Sequence, residues 1–402
     1  MIARRAVAIA IPILMVMVPA DGSPSGGAGL WDVRTLQELP AAQWGARKGQ
    51  VQEVYYAGEP RHGRPTRIFA YLGRPAAQAG NSKHPAMLLL HGGGGRAFSA
   101  WADHWAQRGY AGLAIDLGGK GPERRPLPDG GPPLDAAHIF LRLFEDDDAR
   151  NGWPYHAVAA ALRGHSLLAS LPEVDAARIG ITGISWGGFA TCIVAGLDDR
   201  LKVAVPVYGS GFLHRNSTWK SEHLDPMTAA ERARWVALYD PSSYLTEVGC
   251  PILFLTGTKD RHYPIDSHRA SFLLVRREFR QLAVIPRMKH GHIWTFPEVD
   301  RFVDQVLRGG PPLPGIKTMI AQDGTVQAET TSNAATAQLV STGGTGPWTE
   351  RTWKSTPATL RDGVVSASLP TERPLAFFYL CLRHRGRARH DALRGDRSTL
   401  IS

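Results

Sequence analysis

In Gly183-Ile184-Ser185-Trp186-Gly187-Gly188 a serine stands between glycines at the end of an apolar run. A serine hydroxyl is a weak nucleophile until a neighbouring base takes its proton and a third group orients that base. Candidate partners follow in chain order. Asp260 comes after the apolar run Ile252 to Leu255, through Thr256-Gly257-Thr258-Lys259. Met288-Lys289-His290-Gly291-His292 comes after the next run, Gln281 to Ile285. Serine, acid and histidine in that order, each just past such a run, fit the division of labour of covalent acyl transfer. Either histidine could serve. Gly291 would let the loop carry the following imidazole close to the serine, so His292 is the expected base and His290 the second choice. Each residue alone also fits an ordinary loop position; the reading rests on all three together.

A reaction of this kind needs donors for the oxyanion. His91-Gly92-Gly93-Gly94-Gly95 follows the apolar run Ala86 to Leu90, and backbone without side chains can approach a substrate there. The expected donors are the N–H groups of Gly93, with Gly94 as the alternative, and of Trp186, the residue after the serine. No G-K-[ST] follows the glycines and no G-x-G-x-x-G unit with an acidic partner is present, so phosphate binding is disfavoured. Trp101, Trp153 and Trp219 are candidates to stack on a sugar ring, although core packing suits each of them singly. No Cys-x-x-Cys pair suggests a metal. The run Glu145-Asp146-Asp147-Asp148 reads as a solvated helix end. No cofactor is expected.

These residues need elements that hold them. The runs at Ala86 to Leu90, Ala111 to Ile115, Arg178 to Ile184, Leu201 to Val207, Ile252 to Leu255 and Gln281 to Ile285 are short and apolar throughout. Helical patterns at Trp101 to Gln107, Tyr155 to Ser170, Phe189 to Leu197, Ser267 to Arg277 and Glu298 to Leu307 separate or follow them. Continuous apolar strands alternating with helices predict an α/β fold, a mostly parallel twisted sheet covered by helices on both faces. Val51 to Tyr56 and Thr66 to Leu72 alternate and predict an N-terminal antiparallel hairpin. Two excursions, 118–154 and 211–245, break the alternation where substrate loops usually sit. Gly309-Gly310-Pro311-Pro312 reads as a linker, and the Thr/Ser/Gly-rich stretch beyond it as a small β module, a sandwich in expectation. The expected units are a signal peptide at 1–20, a leader at 21–50, a catalytic domain at 51–310, a β-rich domain at 311–382 and a basic, disordered tail at 383–402.

The chain has 402 residues, 43% hydrophobic and 20% charged, which excludes a disordered chain and a polytopic membrane protein. The net charge of +10 is concentrated. Arg4 and Arg5 flank the apolar run Ala6 to Val18, and six Arg with two Asp lie between Arg383 and Arg397. The remainder is mildly basic with no stripe of basic and aromatic residues, so nucleic acid is not an expected partner. The N-terminal pattern, with Val18-Pro19-Ala20 as its cleavage point, predicts export and no lasting membrane insertion once the signal is removed. Cys192, Cys250 and Cys381 read as buried small apolar residues rather than a disulfide set.

The sequence resembles the α/β-hydrolase superfamily from about Val51 to Leu307. More narrowly it is similar to exported bacterial acetylxylan esterases and dienelactone-hydrolase-like proteins, and to the catalytic domain of the prolyl oligopeptidase family. The likeness is carried by His91-Gly92-Gly93-Gly94-Gly95, Trp153-Pro154-Tyr155-His156-Ala157-Val158, Gly183 to Gly188, Val207-Tyr208-Gly209 and Met288 to His292. It implies a triad of Ser185, Asp260 and His292 without cofactor or metal, acting on an acylated carbohydrate or small ester. Only about 70 residues separate the expected cleavage point from His91, too few for the propeller of the oligopeptidases. Two other functions compete with an esterase. One is a small serine peptidase, for which the cluster Glu145 to Asp148 would have to hold a peptide amine. The other is a non-catalytic carbohydrate-binding protein on the same fold.

Overall fold

The computed structural model describes residues 29–76, 83–331, 334–371, 375–384 and 400–401. The predicted signal peptide and most of the basic tail lie outside them. The chain folds as α1 (Val33–Leu36), β1 (Ala42–Lys48), β2 (Val51–Ala57), β3 (Arg67–Gly73), β4 (His84–Leu90), α2 (Ser99–Gln107) and β5 (Ala111–Ile115). After α3 (Arg142–Glu145) come α4 (Trp153–Ser170), β6 (Val174–Ile184), α5 (Trp186–Leu197), β7 (Val203–Val207) and α6 (Ala229–Tyr239). The catalytic-domain stretch ends with β8 (Ile252–Lys259), α7 (Ile265–Leu274), β9 (Arg280–Lys289) and α8 (Pro297–Arg308). The C-terminal part is β10 (Ile316–Gln322), β11 (Thr325–Thr330), β12 (Ala334–Gly343), β13 (Trp353–Arg361), β14 (Val364–Ser368), β15 (Leu375–His384) and β16 (Leu400–Ile401).

The main sheet has ten strands in the order β1-β2-β3-β5-β4-β6-β7-β8-β9-β16. The six strands from β5 to β9 in that order are mutually parallel, flanked by antiparallel partners at both ends. Period-2 geometry explains why the central strands are apolar throughout. In β4, Ala86, Leu88 and Leu90 join one core cluster and Met87 and Leu89 the other. Helices α4, α5 and α7 cover the first face, and α2 and α8 the second. A fully buried leucine of this kind stabilises the fold by about 1.5–3 kcal/mol.

The N-terminal boundary differs from the expected one. Residues 21–50 were assigned to a leader, but β1 pairs antiparallel with β2, and Trp31 and Leu36 are buried in the first core cluster. The cause is β1's position at the sheet edge. Ala-Gln-Trp-Gly-Ala-Arg-Lys is largely exposed and its register breaks between Trp44 and Arg47, so no apolar alternation marks it. The predicted hairpin is thus part of a three-stranded meander joined to β5 through β3.

Helix α8 ends at Gly309, which adopts the left-handed conformation (φ 67°) that glycine permits at a helix end. The module beyond is one six-stranded antiparallel sheet, β10-β11-β14-β13-β12-β15, rather than a two-sheet sandwich. Its core of Val326, Leu339, Val365 and small residues is modest. It is also tied to the larger domain. Val340 belongs to the first core cluster, and Lys259 Nζ donates to the carbonyls of Thr349 (2.6 Å) and Arg351 (2.9 Å).

Candidate active site

Strand β6 hands directly into α5 at Ser185, whose backbone is held at φ 55°, ψ −119°. A non-glycine residue in that region is strained, and the neighbours maintain the strain. Ser185 N–H donates to Val207 O at 2.9 Å, and Phe189 N–H donates to Ser185 O at 2.8 Å. A Cβ on Gly187 would overlap the Leu90 carbonyl, and one on Gly183 would overlap the Gly187 carbonyl. The glycines therefore let the turn close against β4. The Ser185 hydroxyl stands above the sheet at the N-terminus of α5, where partial positive charge favours an anion.

Asp260 and His290 reach the serine by register. Lys259 of β8 and Lys289 of β9 are paired in the parallel ladder. The first residues beyond these two strands are Asp260 and His290. His290 Nδ1 lies 2.8 Å from Asp260 Oδ2, and His290 Nε2 lies 2.8 Å from Ser185 Oγ. With Asp260 ionised, this geometry places the neutral imidazole's proton on Nδ1 and leaves Nε2 to accept the serine O–H. The other carboxylate oxygen, Oδ1, accepts the backbone N–H groups of His262 (2.8 Å) and Tyr263 (3.0 Å). Asp260 is only 2% exposed, so these bonds replace water around its charge.

The hydrogen-bonded chain thus runs through His290 and not through His292, the residue favoured from sequence. Gly291 turns the chain away from the serine. His292 Nε2 lies 3.9 Å from where a Cβ on Gly94 would sit, across the mouth of the site. Burial, then the charges of His290, His91 and Arg124, push the His292 imidazole below its ordinary pKa. The position needed at the serine is the first residue beyond β9, and a glycine before it is unnecessary.

His290 is fixed by its surroundings. Its ring lies 4.7 Å from that of Tyr208 and 6.0 Å from that of Tyr263, centroid to centroid. Tyr208 O–H donates to Ile293 O and accepts Ile293 N–H at 3.0 Å, tying down the loop that carries both histidines. Tyr208 sits at the end of β7 with φ 34°. In the sequence Tyr208 is marked by Val207-Tyr208-Gly209, whereas His262 and Tyr263 carry no signal beyond their place just past a strand end.

The glycine loop lies against the serine. A Cβ on Gly92 would sit 2.8 Å from Ser185 Cβ, and one on Gly93 would sit 3.3 Å from Trp186 Cδ1 and 3.5 Å from Leu134 Cδ2. Gly94 adopts φ 68°. His91 braces the loop: its Nε2 accepts Leu117 N–H at 2.8 Å, so Nδ1 carries the proton and donates to Gly92 O at 2.8 Å. Trp186 opens α5, where a backbone N–H has no acceptor within the helix.

The tryptophans divide. Trp101 is 1% exposed and stacks beneath Trp294, and Trp153 is 0% exposed with its indole N–H on Leu117 O at 2.5 Å. Neither can stack on a sugar, which corrects the expectation for both. Trp219 is half-buried and packs on Trp186 (4.5 Å) and Tyr263 (5.0 Å), beside the site. The two excursions lock together above it. Trp235 donates to Ile139 O at 2.9 Å, Tyr239 to Ala149 O at 2.6 Å, and Phe140 stacks on Trp235. Three members of the acidic run have close structural partners. Glu145 pairs with Arg142 at 2.8 Å, Asp147 with Arg234 at 3.0 Å, and Asp148 caps a turn through Arg150 N–H at 2.9 Å. Asp146 has only longer contacts, to His62 (3.7 Å) and Arg142 (3.9 Å). Cys192 and Cys250 are buried free thiols, and burial raises the pKa of both. The side chain of Cys381 lies outside the described residues.

Comparison with known proteins agrees with this architecture. The family model for acetyl xylan esterase (AXE1) matches residues 30–218, and that of the prolyl oligopeptidase family matches residues 146–305. The chain is 26% identical over 259 residues to the uncharacterized peptidase YuxL of Bacillus subtilis, covering 60% of this chain and 35% of the relative. It is 25% identical over 250 residues to the acetyl esterase Axe7A of Xylanibacter ruminicola, covering 58% of this chain and 54% of the relative. The matches thus span between a third and just over half of the curated relatives' lengths. Among solved structures, the fold is similar to that of an acetyl xylan esterase from Paenibacillus sp. R4. The TM-score is 0.56 at 21% identity, covering 70% of this chain and 95% of that one.

Proposed function

The chain belongs to the α/β-hydrolase superfamily, and from that premise we propose that it is an exported serine esterase. Its substrates would be acyl esters, acetyl above all, carried by a carbohydrate such as acetylated xylan. The observation that carries the reading is the unbroken bond chain from Ser185 through His290 to Asp260. Binding alone requires no such chain.

In the proposed reaction Ser185 Oγ attacks the ester carbonyl carbon while its proton passes to His290 Nε2. Asp260 stabilises the imidazolium that forms. The carbonyl oxygen becomes an oxyanion and accepts the N–H groups of Gly93 and Trp186. Each such donor contributes on the order of 10²–10³ in rate. The bond to the sugar oxygen then breaks, and His290 returns its proton to that oxygen. Water attacks the acyl carbon while its proton passes to His290. The bond from that carbon to Ser185 Oγ then breaks, His290 returns the proton to Oγ, and the acid leaves.

Several observations support the finer assignments. The AXE1 match and Axe7A favour an acetyl ester over an amide. The prolyl oligopeptidase match keeps a small peptidase as the second reading. That enzyme would need a carboxylate for the peptide amine, whereas three of the four carboxylates in the acidic run are engaged by Arg142, Arg234 and a cap. Export is supported by the N-terminal charge and apolar pattern, and no helix among the described residues is long and apolar enough to cross a membrane.

The test is acetate release from acetylated xylan and from p-nitrophenyl acetate by the mature chain and its Ser185→Ala variant. Release from both, lost in the variant, is the expected result. Activity on the small ester alone would remove xylan. Cleavage of peptide amides in preference to either ester would favour the peptidase reading.

A further inference from the structure

A third side chain with metal-binding chemistry stands beside the Asp260–His290 pair. One ligand atom each from Asp260, His262 and His290 lies within 4.8 Å of the others. His290 Nδ1 and Asp260 Oδ2 are already 2.8 Å apart. The His262 ring lies 4.3 Å from the His290 ring, and its Nδ1 is buried with no hydrogen-bond partner among the described residues. The set contains two imidazoles and one carboxylate. That donor set suits zinc and its neighbours among the transition metals better than magnesium or calcium, which prefer oxygen alone.

We propose that Asp260, His262 and His290 form an inhibitory site for a borderline-soft divalent cation, of which Zn²⁺ is the type. Tetrahedral zinc with bonds of about 2.0–2.1 Å needs ligand atoms roughly 3.3 Å apart. Reaching that spacing breaks the Asp260–His290 hydrogen bond and asks for side-chain rotation from His262, whose Nδ1 makes no hydrogen bond among the described residues.

The consequence for the serine follows from proton bookkeeping on one ring. In the metal-free site Nδ1 carries the proton and Nε2 accepts from Ser185. A cation on Nδ1 needs the electron pair that the N–H bond holds, so the ring's single proton moves from Nδ1 to Nε2. Nε2 then has no lone pair for the serine proton, and Asp260 is drawn to the cation. No oxidant, reductant or net proton exchange on His290 is involved. Ser185 stays in place but loses its base.

The loss-of-activity readout rests on the hydrolase reading; the binding readout does not. Zinc sulfate, and magnesium sulfate as control, would be titrated into the full chain by calorimetry and into p-nitrophenyl acetate assays. The expected result is one zinc per chain, inhibition reversed by EDTA, and no response to magnesium. In His262→Ala, each rate is compared with that variant's own zinc-free rate. Losing one of three ligands should raise the inhibiting zinc concentration by about 10–100-fold or more. Equal zinc sensitivity in His262→Ala, or no zinc binding to the full chain, overturns the proposal. A chain inactive on every ester that still binds one zinc, weakened in His262→Ala, would refute the esterase reading and leave the metal site standing.

Discussion

Among the histidine–aspartate pairs of the described residues, two have nearly identical geometry and little exposure, and one of those two faces a nucleophile. His290 Nδ1 lies 2.8 Å from Asp260 Oδ2, and His165 Nδ1 lies 2.7 Å from Asp198 Oδ2. Asp198 sits just beyond α5 and is also bound by Arg200 (2.7 Å at Nε) and by Gln37 (3.3 Å). His165 and Asp198 have side-chain exposures of 1% and 0%, and His290 has 13%. The carboxylate of the inner pair is surrounded by donors that join α4, α5 and the N-terminal segment. The carboxylate of the outer pair is held by its own loop amides, and its imidazole turns the free nitrogen to Ser185. What separates the structural pair from the one proposed to be catalytic is the second ring nitrogen and its access to Ser185, not the bond between the two residues.

The largest effects should fall on the outer pair's chemistry. Ser185→Ala and His290→Ala should each lower kcat on p-nitrophenyl acetate by about 10⁴–10⁶-fold. Asp260→Asn should lower it by about 10⁴-fold, because the asparagine favours the wrong imidazole tautomer. Thermal midpoints should move little for Ser185→Ala, since its hydroxyl contributes one hydrogen bond. Residual rates within tenfold of the parent for either Ser185→Ala or His290→Ala would break the comparison at its catalytic end.

The inner pair should show the reverse pattern. Asp198→Ala leaves His165 and the Arg200 guanidinium without their shared carboxylate. Removing one member of a buried ionic group costs about 3–5 kcal/mol, measurable in chemical denaturation. The fraction that remains folded should turn over at the parental rate. A large fall in kcat per folded molecule, with stability intact, would show that the two pairs are not separable in this way.

Acid provides a milder version of the same experiment. Burial raises the Asp198 pKa, but bonds from His165 and Arg200 outweigh it and hold the carboxyl at about 2, against 3.8 ordinarily. A depressed folded-state value means the contribution is fully present above the ordinary pKa. It is lost as pH falls from about 4 to about 2, and the shift corresponds to about 2 kcal/mol. Acid denaturation curves should therefore differ between the parent and Asp198→Asn. The parent's stability should fall more steeply across that window, and equal slopes would count against the assignment.

Most of the frame was legible because burial on both faces leaves a plain signature. β4 through β9 are short apolar runs, and the glycines around Ser185 mark a turn that only glycine can make. Elements whose stability comes from elsewhere were not legible. β1 is an exposed edge strand held by pairing with β2. Trp101 and Trp153 could be recognised as large aromatics, but whether an indole faces core or solvent depends on helix rotation. The pairing of Lys259 with Lys289 is what brings His290, rather than His292, beside Asp260. That is a relation between two strands far apart in sequence, and local spacing does not carry it. His165 and Asp198 drew no attention because neither lies in a motif; 33 positions separate them and the fold alone joins them.

The smallest expected effect concerns His292. It lies three residues past β9, exposed at the mouth, with its Nε2 near Gly94 and no bond to Ser185 or Asp260 among the described residues. Burial and the neighbouring His290 hold its pKa below the ordinary value, so the ring is uncharged at neutral pH. Its removal takes no proton acceptor from the serine and no carboxylate partner from the acid. It alters only the shape and polarity next to the glycine loop, where the oxyanion would form. His292→Ala should therefore lower kcat/KM by less than about tenfold, against at least 10⁴-fold for His290→Ala. The fall should come mainly through KM, since a residue at the mouth contacts bound substrate more than the reacting atoms. Equal losses in the two variants would mean that the base is shared between the histidines, and the bond chain through His290 would then describe only one of two working arrangements.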